Sequence, residues 1–297
     1  MNHQALVDDW RELGRFVDAA GEQVFVIDQL AEQDDHHPPL LVLHGYPTSS
    51  IDFADVLPAL HAHRRVVLMD LPGFGFADKP DRAYSLFGQA DAVEAVVAGL
   101  GLTEIDLLTH DISDSVGGEL LARSIDGTLG FSVRRRVITN GSIYMDLVQL
   151  SDGQKYLESL GDVYLDADAA PSFELLEAAL RGTFGAPPAS DPKPAHVAAA
   201  TELVLHNQGN RLLARLIRYI DERRHHESRW YEAIERHQSR LGIVWGDADP
   251  IAVYAMAERL AERRPDATLV RLEGVGHYPM LEAPVAFGDA VCAGLDD

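Results

Sequence analysis

Three residues in the segment LLTHDISDSVGGELLAR have side chains that can attack a substrate: Asp111, Ser113 and Ser115. The choice among them decides the chemistry, because a carboxylate and a hydroxyl attack different substrates and leave different covalent intermediates. A nucleophile on a sharp turn directly after a strand has small residues two positions away on either side. Asp111 follows the strand-like IDLLTH and has Thr109 and Ser113 at those positions. We therefore predict that Asp111 is the nucleophile.

A serine in the same segment is the alternative. Ser115, within S-D-S-V-G, imitates the spacing of a serine nucleophile. It lies a full helical turn further on, however, so its hydroxyl is expected inside the following helix and directed away from the strand end. Ser113 has the wrong spacing on both sides. Both serines and Asp114 are also residue types that favour a helix N-terminus.

The other members of a catalytic triad follow in the chain order nucleophile, acid, histidine. Asp249 lies just after the predicted strand GIVWGD, where it can orient a histidine. Asp247 competes for this role, although aspartate there is typical of a turn. His277, in VGHYPMLEAP, follows the last predicted strand. Because the post-strand loop, the matching aspartate and the chain order coincide, we predict that Asp249 and His277 act with the nucleophile.

The segment LVLHGYPTSS is expected to supply an oxyanion hole. Gly45 lets the backbone approach closely, so that the N–H groups of Tyr46 and Ile112 can stabilise a tetrahedral oxyanion. Pro47 is predicted to follow a cis peptide bond, because such bonds occur in tight turns. His44 is included among the substrate-binding candidates, although a hydrogen-bonded structural role fits it better than that of an acid or base.

Short apolar runs alternate with helical patterns along most of the chain, and this alternation must position the reactive residues. Strands are predicted at residues 23–29, 39–45, 65–71, 105–110, 135–141, 242–247 and 267–274, and helices at 87–101 and 253–264. The first of these strands is the second half of a hairpin with Gly21 in its turn. Buried runs separated by helices predict a mainly parallel α/β sheet with helices on both faces.

The alternation is interrupted between Asn140 and about Gln238. Helical patterns at 175–182, 195–207 and 210–224, and a proline-rich loop at 185–195, occupy this stretch. They predict an inserted helical cap. We therefore divide the chain into a core of residues 1–140 and 239–297 and a cap of residues 141–238. The cap is expected over the carboxyl ends of the strands, where open α/β sheets bind ligands.

Composition restricts the partners. The chain has 297 residues and a formal net charge of −22, which argues against nucleic acid or an anionic membrane as partner. Cys292 is the single cysteine, and the sequence has no signal-peptide pattern and no membrane-spanning apolar run; these features predict a cytoplasmic protein. No metal or organic cofactor is expected, because no His/Cys cluster has ligand spacing and GFGF lacks the G-x-G-x-x-G pattern. A homo-oligomer is compatible with the sequence.

The motifs HGYPTSS, DLPGFGFADKP, LLTHDISD, WGDADPI and GVGHYPMLEAP resemble those of the α/β-hydrolase fold. The similarity is to the branch with epoxide hydrolases and haloalkane dehalogenases, and is greatest to mesoderm-specific-transcript-like hydrolases. It extends over nearly the whole chain, including the insertion. The resemblance implies that Asp111 attacks carbon to form an alkyl ester. It further implies that His277, oriented by Asp249, activates the water that hydrolyses the ester.

The resemblance also bears on the leaving atom. Dehalogenases hold halide with a tryptophan after the nucleophile and an asparagine or second tryptophan elsewhere. Ile112 and Tyr46 occupy those positions here, which counts against dehalogenation. Epoxide hydrolases donate hydrogen bonds to the ring oxygen from two cap tyrosines.

The resemblance to epoxide hydrolases therefore implies two tyrosines in the cap that face the ring oxygen. RWYEAI resembles the N-W-Y-R segment of epoxide hydrolases, and Tyr231 matches its tyrosine. Trp230 and Tyr231 fit equally well as residues that pack a helix onto the core. Tyr156 and Tyr144 are candidates for the other tyrosine, with Tyr156 preferred.

We expect a small apolar electrophile as substrate, in a largely apolar pocket between core and cap. Opening of an epoxide to a diol ranks first, haloalkane hydrolysis second, and a serine-type esterase acting through Ser115 third. A non-catalytic ligand-binding protein is the alternative from a different class, since fold alone does not establish function. The intact set of Asp111, Asp249 and His277 argues against that alternative.

Overall fold

An eight-stranded sheet forms the centre of the protein, and the computed structural model describes residues 2–33 and 37–296. The strands are β1 (Gly14–Ala19), β2 (Glu22–Gln29), β3 (Leu40–Leu43), β4 (Val66–Met69), β5 (Glu104–His110), β6 (Ser132–Thr139), β7 (Arg240–Gly246) and β8 (Thr268–Leu272). Their order is β1-β2-β4-β3-β5-β6-β7-β8. Strand β2 is antiparallel to both of its neighbours, β1 and β4. All other neighbouring pairs, β4-β3, β3-β5, β5-β6, β6-β7 and β7-β8, are parallel. The predicted hairpin and mainly parallel sheet are confirmed.

Twelve α-helices and two 3₁₀ helices surround the sheet in the described ranges. The α-helices are α1 (His3–Leu13), α2 (Leu57–Leu60), α3 (Leu86–Gly99), α4 (Ile112–Asp126), α5 (Asp152–Ser159), α6 (Phe173–Arg181), α7 (Pro194–Leu205), α8 (Leu213–Leu216), α9 (Tyr219–Arg236), α10 (Ala255–Arg263), α11 (Pro279–Glu282) and α12 (Pro284–Asp296). The 3₁₀ helices are Ser50–Phe53 and His206–Leu212. No helix of this described part is long and apolar enough to span a membrane.

Both faces of the sheet are buried, which explains why its central strands are apolar without alternation. In β3, Leu41 and Leu43 belong to one hydrophobic cluster, and Leu40 and Val42 belong to the other. Helices α3, α4 and α10 contribute to the first cluster, and α1, α2 and α12 to the second. Burial of each such side chain stabilises the fold by about 1.5–3 kcal/mol. The parallel strands thus form a rigid layer whose carboxyl ends can hold a site.

Helices α5 to α9 all lie between β6 and β7, where the sequence predicts the insertion. They contact the core at two main places, because α7 packs against α1 and α9 packs against α4. Gly118 allows the second contact, since a Cβ there would lie 3.0 Å from the Cβ of Trp230. The division into core residues 1–140 and 239–297 and cap residues 141–238 stays a prediction.

The continuous helix predicted over residues 210–224 is wrong. The chain there forms part of a 3₁₀ helix, then the short α8, and then α9, which begins at Tyr219. Asn207 and Gln208, just before this stretch, have φ of 50° and 60°. Such left-handed backbone separates α7 from this stretch. The break between α8 and α9 falls at Ile217 and Arg218, where the N–H of Arg218 bonds to the carbonyl of Arg215, three residues back, as in a 3₁₀ turn. The break leaves Tyr219 at the first turn of α9.

Candidate active site

Asp111 lies on a sharp turn between a strand and a helix. β5 ends at His110 and α4 begins at Ile112, and between them Asp111 has φ 53° and ψ −112°. Such a conformation costs a residue with a side chain on the order of 1–3 kcal/mol and is typical of functional turns. Gly45 provides the space, because a Cβ there would lie 2.5 Å from the ring of His110 and 3.0 Å from the Cβ of Asp111. The turn presents the carboxylate at the end of the strand.

The two carboxylate oxygens of Asp111 have different partners. The N–H of Tyr46 donates to Oδ2 at 2.9 Å, and Oδ1 lies 4.0 Å from Nε2 of His277. Tyr46 is held by a cis bond to Pro47, as predicted. The N–H of Ile112 lies at the start of α4, where backbone donors favour negative charge. One oxygen is therefore held by the backbone, while the other faces the imidazole.

His277 is joined to Asp249 by a hydrogen bond of 2.7 Å between Nδ1 and Oδ2. The side-chain amide of Asn140 donates to the same oxygen at 2.8 Å. The N–H groups of Ile251 and Ala252 donate to Oδ1 at 2.7 and 3.0 Å. Hydrogen bonds to an ionised carboxylate are strong and directional, so Asp249 fixes the imidazole with Nε2 toward the nucleophile.

Asp247, which competes with Asp249 in the sequence, faces another way. Its carboxylate accepts from Nε of Arg271 at 2.6 Å and from the N–H of Gly274 at 2.7 Å. These contacts close the turn between β7 and the loop after β8, as expected of a turn aspartate. Asp249 is thus the carboxylate that the structure brings to the histidine.

The charges around His277 favour its imidazolium form. Burial lowers its pKa, but the charge and hydrogen bond of Asp249, together with the charges of Asp111 and Glu282, outweigh burial and raise the pKa to about 9. His277 is therefore protonated at neutral pH in the free protein. Loss of the negative charge on Asp111 removes one of the groups that raise the pKa, and moves His277 toward the neutral form that a base requires.

The main chain of His277 is held on both sides. Its N–H donates to the carbonyl of Thr183 at 2.9 Å, and its carbonyl lies 2.8 Å from Nε2 of His110. Burial, followed by the nearby charge of His277, lowers the pKa of His110 to about 3. His110 is consequently neutral, and its Nε2–H donates to the carbonyl. The residue before the nucleophile thus helps to place the histidine.

The two serines near Asp111 have partners of their own. Ser113 Oγ donates to the carbonyl of His44, and Ser115 Oγ accepts from Nε of Arg223 at 2.8 Å. Both lie within α4 and are buried. Within residues 2–33 and 37–296, His277 is hydrogen-bonded to Asp249, His110 and Thr183 and to neither serine. Ser115 is therefore not bonded to the histidine that would have to act as its base.

A cavity of about 540 Å³ lies in front of Tyr46 and His277, a size typical of small-molecule sites. Its outer wall is formed by α5, the loop before α6, and α6 itself, with apolar side chains such as Leu176 and Leu180. His277 and Asp168 are the charged side chains among the residues that line it. The cavity therefore suits a neutral and largely apolar molecule.

The predicted substrate contacts of α9 need correction. Trp230 and Tyr231 do not line the cavity, whereas Tyr156 lines its outer part and is 58% exposed. Trp230 donates from Nε1 to Glu119 at 3.0 Å, and the ring of Tyr231 packs against that of Tyr144 with centroids 5.9 Å apart. Trp230 therefore packs α9 onto α4, whereas Tyr231 packs against the segment that follows β6.

His44 is also misassigned as a substrate contact. It is fully buried, its Nε2 accepts the N–H of Leu71 at 3.0 Å, and its Nδ1 donates to the carbonyl of Gly45 at 2.9 Å. Burial lowers its pKa, which matches a neutral ring with one donor and one acceptor nitrogen. His44 stabilises the turn that presents the N–H of Tyr46.

Tyr219 is the site residue that the sequence analysis missed. Its ring lies between that of Tyr46, at 5.5 Å, and the guanidinium of Arg223, at 4.9 Å. Its side chain is hydrogen-bonded to Gln154 of the cavity wall. Burial and then the charge of Asp111 raise its pKa, so the hydroxyl keeps its proton. Its place at the start of α9, just after an unforeseen helix break, is the reason that periodicity did not identify it.

This combination of sheet order, post-strand turn and carboxyl-end site defines a class of proteins. Residues 40–290 match the family model described as "Alpha/beta hydrolase family", and the chain belongs to this family. The fold predicted from the motifs is confirmed, and the protein is a hydrolase of the α/β fold.

Individual relatives and solved structures are consistent with this family. LipZ of Mycobacterium tuberculosis, which is named as a hydrolase, is 41% identical over 295 residues and covers 98% of each chain. The mesoderm-specific transcript homolog protein of Homo sapiens is 31% identical over 289 residues, covering 95% of this chain and 85% of its own. Among solved structures, the enol-lactonase from Burkholderia xenovorans LB400 superposes with a TM-score of 0.77 at 16% identity, covering 95% of this chain and 100% of its own. The last similarity concerns the fold alone.

Proposed function

We propose that the protein hydrolyses epoxides to diols through a covalent ester on Asp111. The observation that carries the proposal is a chain of three contacts, two at that carboxylate and one between the histidine and a second acid. Oδ2 accepts the N–H of Tyr46 at 2.9 Å, Oδ1 lies 4.0 Å from Nε2 of His277, and the opposite nitrogen of His277 is bonded to Asp249 at 2.7 Å. A carboxylate nucleophile, a water-activating histidine and an orienting acid are the parts that this chemistry needs.

In the first step Oδ1 of Asp111 attacks a ring carbon of the epoxide. The carbon–oxygen bond of the ring breaks, and its electron pair passes to the ring oxygen, which takes a proton from the hydroxyl of Tyr219. Tyr219 suits this role because its raised pKa keeps it protonated, and because it contacts both Tyr46 and the cavity residue Gln154. The product is a β-hydroxyalkyl ester of Asp111.

In the second step water hydrolyses the ester. Once the ester has removed the charge of Asp111, the imidazolium of His277 releases its proton to solvent, and it regains one after the diol has left. The neutral Nε2 then takes a proton from water, and the hydroxide adds to the carboxyl carbon of Asp111. The resulting negative charge develops on Oδ2, beside the N–H of Tyr46, and the N–H of Ile112 is the second donor that we propose for it. The intermediate then expels the diol oxygen, which receives the proton from His277. The proton left on the carboxyl of Asp111 returns to Tyr219, so that the overall reaction is epoxide plus water to diol.

The residues around the nucleophile support an epoxide rather than a haloalkane. A departing halide needs N–H donors from side chains, and the side chains of Ile112 and Tyr46 offer no indole or amide nitrogen. An epoxide oxygen instead needs a proton, which a buried phenol provides. The cavity wall, with few charged groups, favours neutral substrates of this kind.

Trapping of the ester tests the proposal. His277→Ala removes the water activator, so exposure to separate pools of epoxides, haloalkanes and aryl esters should arrest the reaction at the first intermediate. Peptide-level mass spectrometry is expected to find the mass of a whole epoxide on Asp111. The double variant Asp111→Ala/His277→Ala is the matched control and should remain unmodified. An alkyl group without halogen on Asp111, an acyl group on Ser115, or no adduct from any pool would each contradict the proposal.

A further inference from the structure

The buried carboxylate of Glu282, at the end of α11, gathers three backbone N–H groups. Oε2 accepts from Gly185 at 2.7 Å and from Gly276 at 2.8 Å, and Oε1 accepts from Tyr278 at 2.9 Å. Gly276 and Tyr278 flank His277, whereas Gly185 belongs to the proline-rich loop of the insertion. Glu282 is 3% exposed, so little water competes for these bonds. A single side chain thus joins two segments that are far apart in the sequence.

The main chains of the same two segments approach closely at two glycines. A Cβ on Gly185 would overlap the carbonyl of Gly274, and a Cβ on Gly276 would overlap the carbonyl of Thr183. That carbonyl of Thr183 accepts the N–H of His277 at 2.9 Å. The ring of Phe184 packs edge-on against that of Tyr278, with centroids 6.1 Å apart. Residues 183–185 therefore form a strap against the histidine loop, residues 274–278.

The strap continues directly from the wall of the substrate cavity. Leu176, Ala179 and Leu180 of α6 line the cavity, and so does Thr183 at the start of the strap. The strap therefore connects α6 to the main chain of His277, and Glu282 bonds to both the strap and the histidine loop. No reacting atom contacts Glu282 in this arrangement.

We propose that Glu282 is a positioning residue that couples the cavity wall to the histidine, so that the water-activating imidazole is aligned only when α6 and the strap are in place. The kinetic meaning of this coupling rests on the proposed function, because His277 acts in ester hydrolysis and not in the attack by Asp111. Misplacement of a reacting group by about 1 Å lowers a rate on the order of 100-fold. Loss of Glu282 should therefore slow the second step selectively.

The test compares Glu282→Gln, Glu282→Asp and Glu119→Gln. Glutamine keeps the shape but replaces an acceptor oxygen by an NH₂ group, which repels the N–H that it faces. Aspartate keeps the charge on a shorter side chain, and serves as a milder variant if glutamine prevents folding. Glu119 is a matched control, because it is 2% exposed and accepts hydrogen bonds from Arg229 and Trp230 on α9 instead of the histidine loop.

The kinetic measurement is rapid-quench mass spectrometry of a single turnover with styrene oxide as the probe. For Glu282→Gln we expect ester formation at the wild-type rate and ester hydrolysis slowed about 10- to 100-fold, so that the ester on Asp111 accumulates. Glu282→Asp should show a smaller selective loss, and Glu119→Gln should not change the ratio of the two rates. An equal fall of both rates in Glu282→Gln, or the same imbalance in Glu119→Gln, overturns the proposal.

Amide hydrogen exchange of the same variants separates this proposal from the proposed function, because it needs no substrate. In Glu282→Gln, the amides of residues 183–185 and 276–278 should exchange faster together, while Glu119→Gln leaves both segments protected. Absence of an ester in the wild type and in His277→Ala would contradict the proposed function alone. Unchanged exchange at residues 183–185 in Glu282→Gln would overturn the coupling whatever the substrate is.

Discussion

The N–H of Tyr46 donates to Oδ2 of Asp111 at 2.9 Å, while Oδ1 of the same carboxylate faces His277. This contact gives the two oxygens different roles before any substrate binds. In the proposed mechanism Oδ2 is the carbonyl oxygen of an ester formed through Oδ1, and it would bear the negative charge when water attacks that ester. The N–H of Tyr46 would then already lie where that charge develops, and such preorganised donors are among the largest contributions to catalysis.

Oxygen labelling tests this division of roles. In a single turnover in H₂¹⁸O we expect one ¹⁸O atom in the carboxylate of Asp111 and an unlabelled diol, because water attacks the carboxyl carbon and the diol takes its new oxygen from Oδ1. Mass spectrometry of the peptide that contains Asp111 measures the label. A labelled diol from the first turnover, with an unlabelled peptide, would mean that water attacks the substrate directly.

The titration of His277 should depend on Asp111. Its pKa is raised to about 9, against the effect of burial, by Asp249 and by Asp111. In Asp111→Asn one of these negative charges is lost, so the pKa should fall. Asp249→Asn should lower it further, because Asp249 contributes more than Asp111. NMR titration of the imidazole measures the pKa of His277 in the wild type, in Asp111→Asn and in Asp249→Asn. An unchanged pKa in Asp111→Asn would contradict the electrostatic contact across 4.0 Å.

The same contact sets the sign of the pH dependence of ester hydrolysis. Hydrolysis requires neutral His277, and the ester has no charge on Asp111 to stabilise the imidazolium. The rate should therefore rise with pH and level off above a pKa that lies below about 9. Rapid-quench measurements of ester decay between neutral and alkaline pH give this profile. A rate that falls as pH rises would exclude His277 as the base.

Tyr219→Phe should slow the opening of epoxides. Removal of the proton donor is expected to lower ester formation about 10²- to 10⁴-fold, whereas hydrolysis of an ester already formed should change little. Tyr231→Phe is the matched control, because the ring of Tyr231 packs on that of Tyr144, whereas the ring of Tyr219 packs on that of Tyr46. The rate of ester formation in both variants is measured in a single turnover with styrene oxide. An equal decrease in the rate of ester formation in the two variants would show that Tyr219 is not the proton donor.

The sequence predicts the sheet well, because local composition determines it. Strands such as Leu40–Leu43 and Val66–Met69 are apolar at every position, since both faces of a parallel sheet are buried. The insertion is predicted less well. The positive φ values of Asn207 and Gln208 fall where one predicted helix, 195–207, gives way to the next, 210–224. The break that periodicity missed lies inside the second of these, at Ile217 and Arg218 between α8 and α9.

Sequence spacing also predicts one part of the candidate site and not the other. Asp111, Asp249 and His277 follow strand ends in a fixed chain order, so sequence spacing is sufficient to propose them. The cap tyrosines depend on how α9 packs against α4, which the sequence does not state. Of the two residues that match a family segment, Trp230 is bonded to Glu119 of α4 and Tyr231 packs on Tyr144. Tyr219, at the other end of the helix, instead packs on Tyr46, whose N–H donates to the carboxylate of Asp111.

Ser115→Ala should weaken the fold without removing the nucleophile. Ser115 Oγ accepts from Nε of Arg223 at 2.8 Å, and loss of a hydrogen bond to a buried charge lowers the free energy of unfolding by about 1.5–3 kcal/mol. Urea denaturation should show this decrease, with a smaller one for the control Ser113→Ala, whose bond to the carbonyl of His44 is uncharged. The rate of ester formation by the folded variant should stay within about tenfold of the wild type, whereas loss of a true serine nucleophile lowers turnover about 10⁶-fold. If a folded Ser115→Ala protein lost all turnover while Asp111→Ala stayed active, Ser115 and not Asp111 would be the nucleophile.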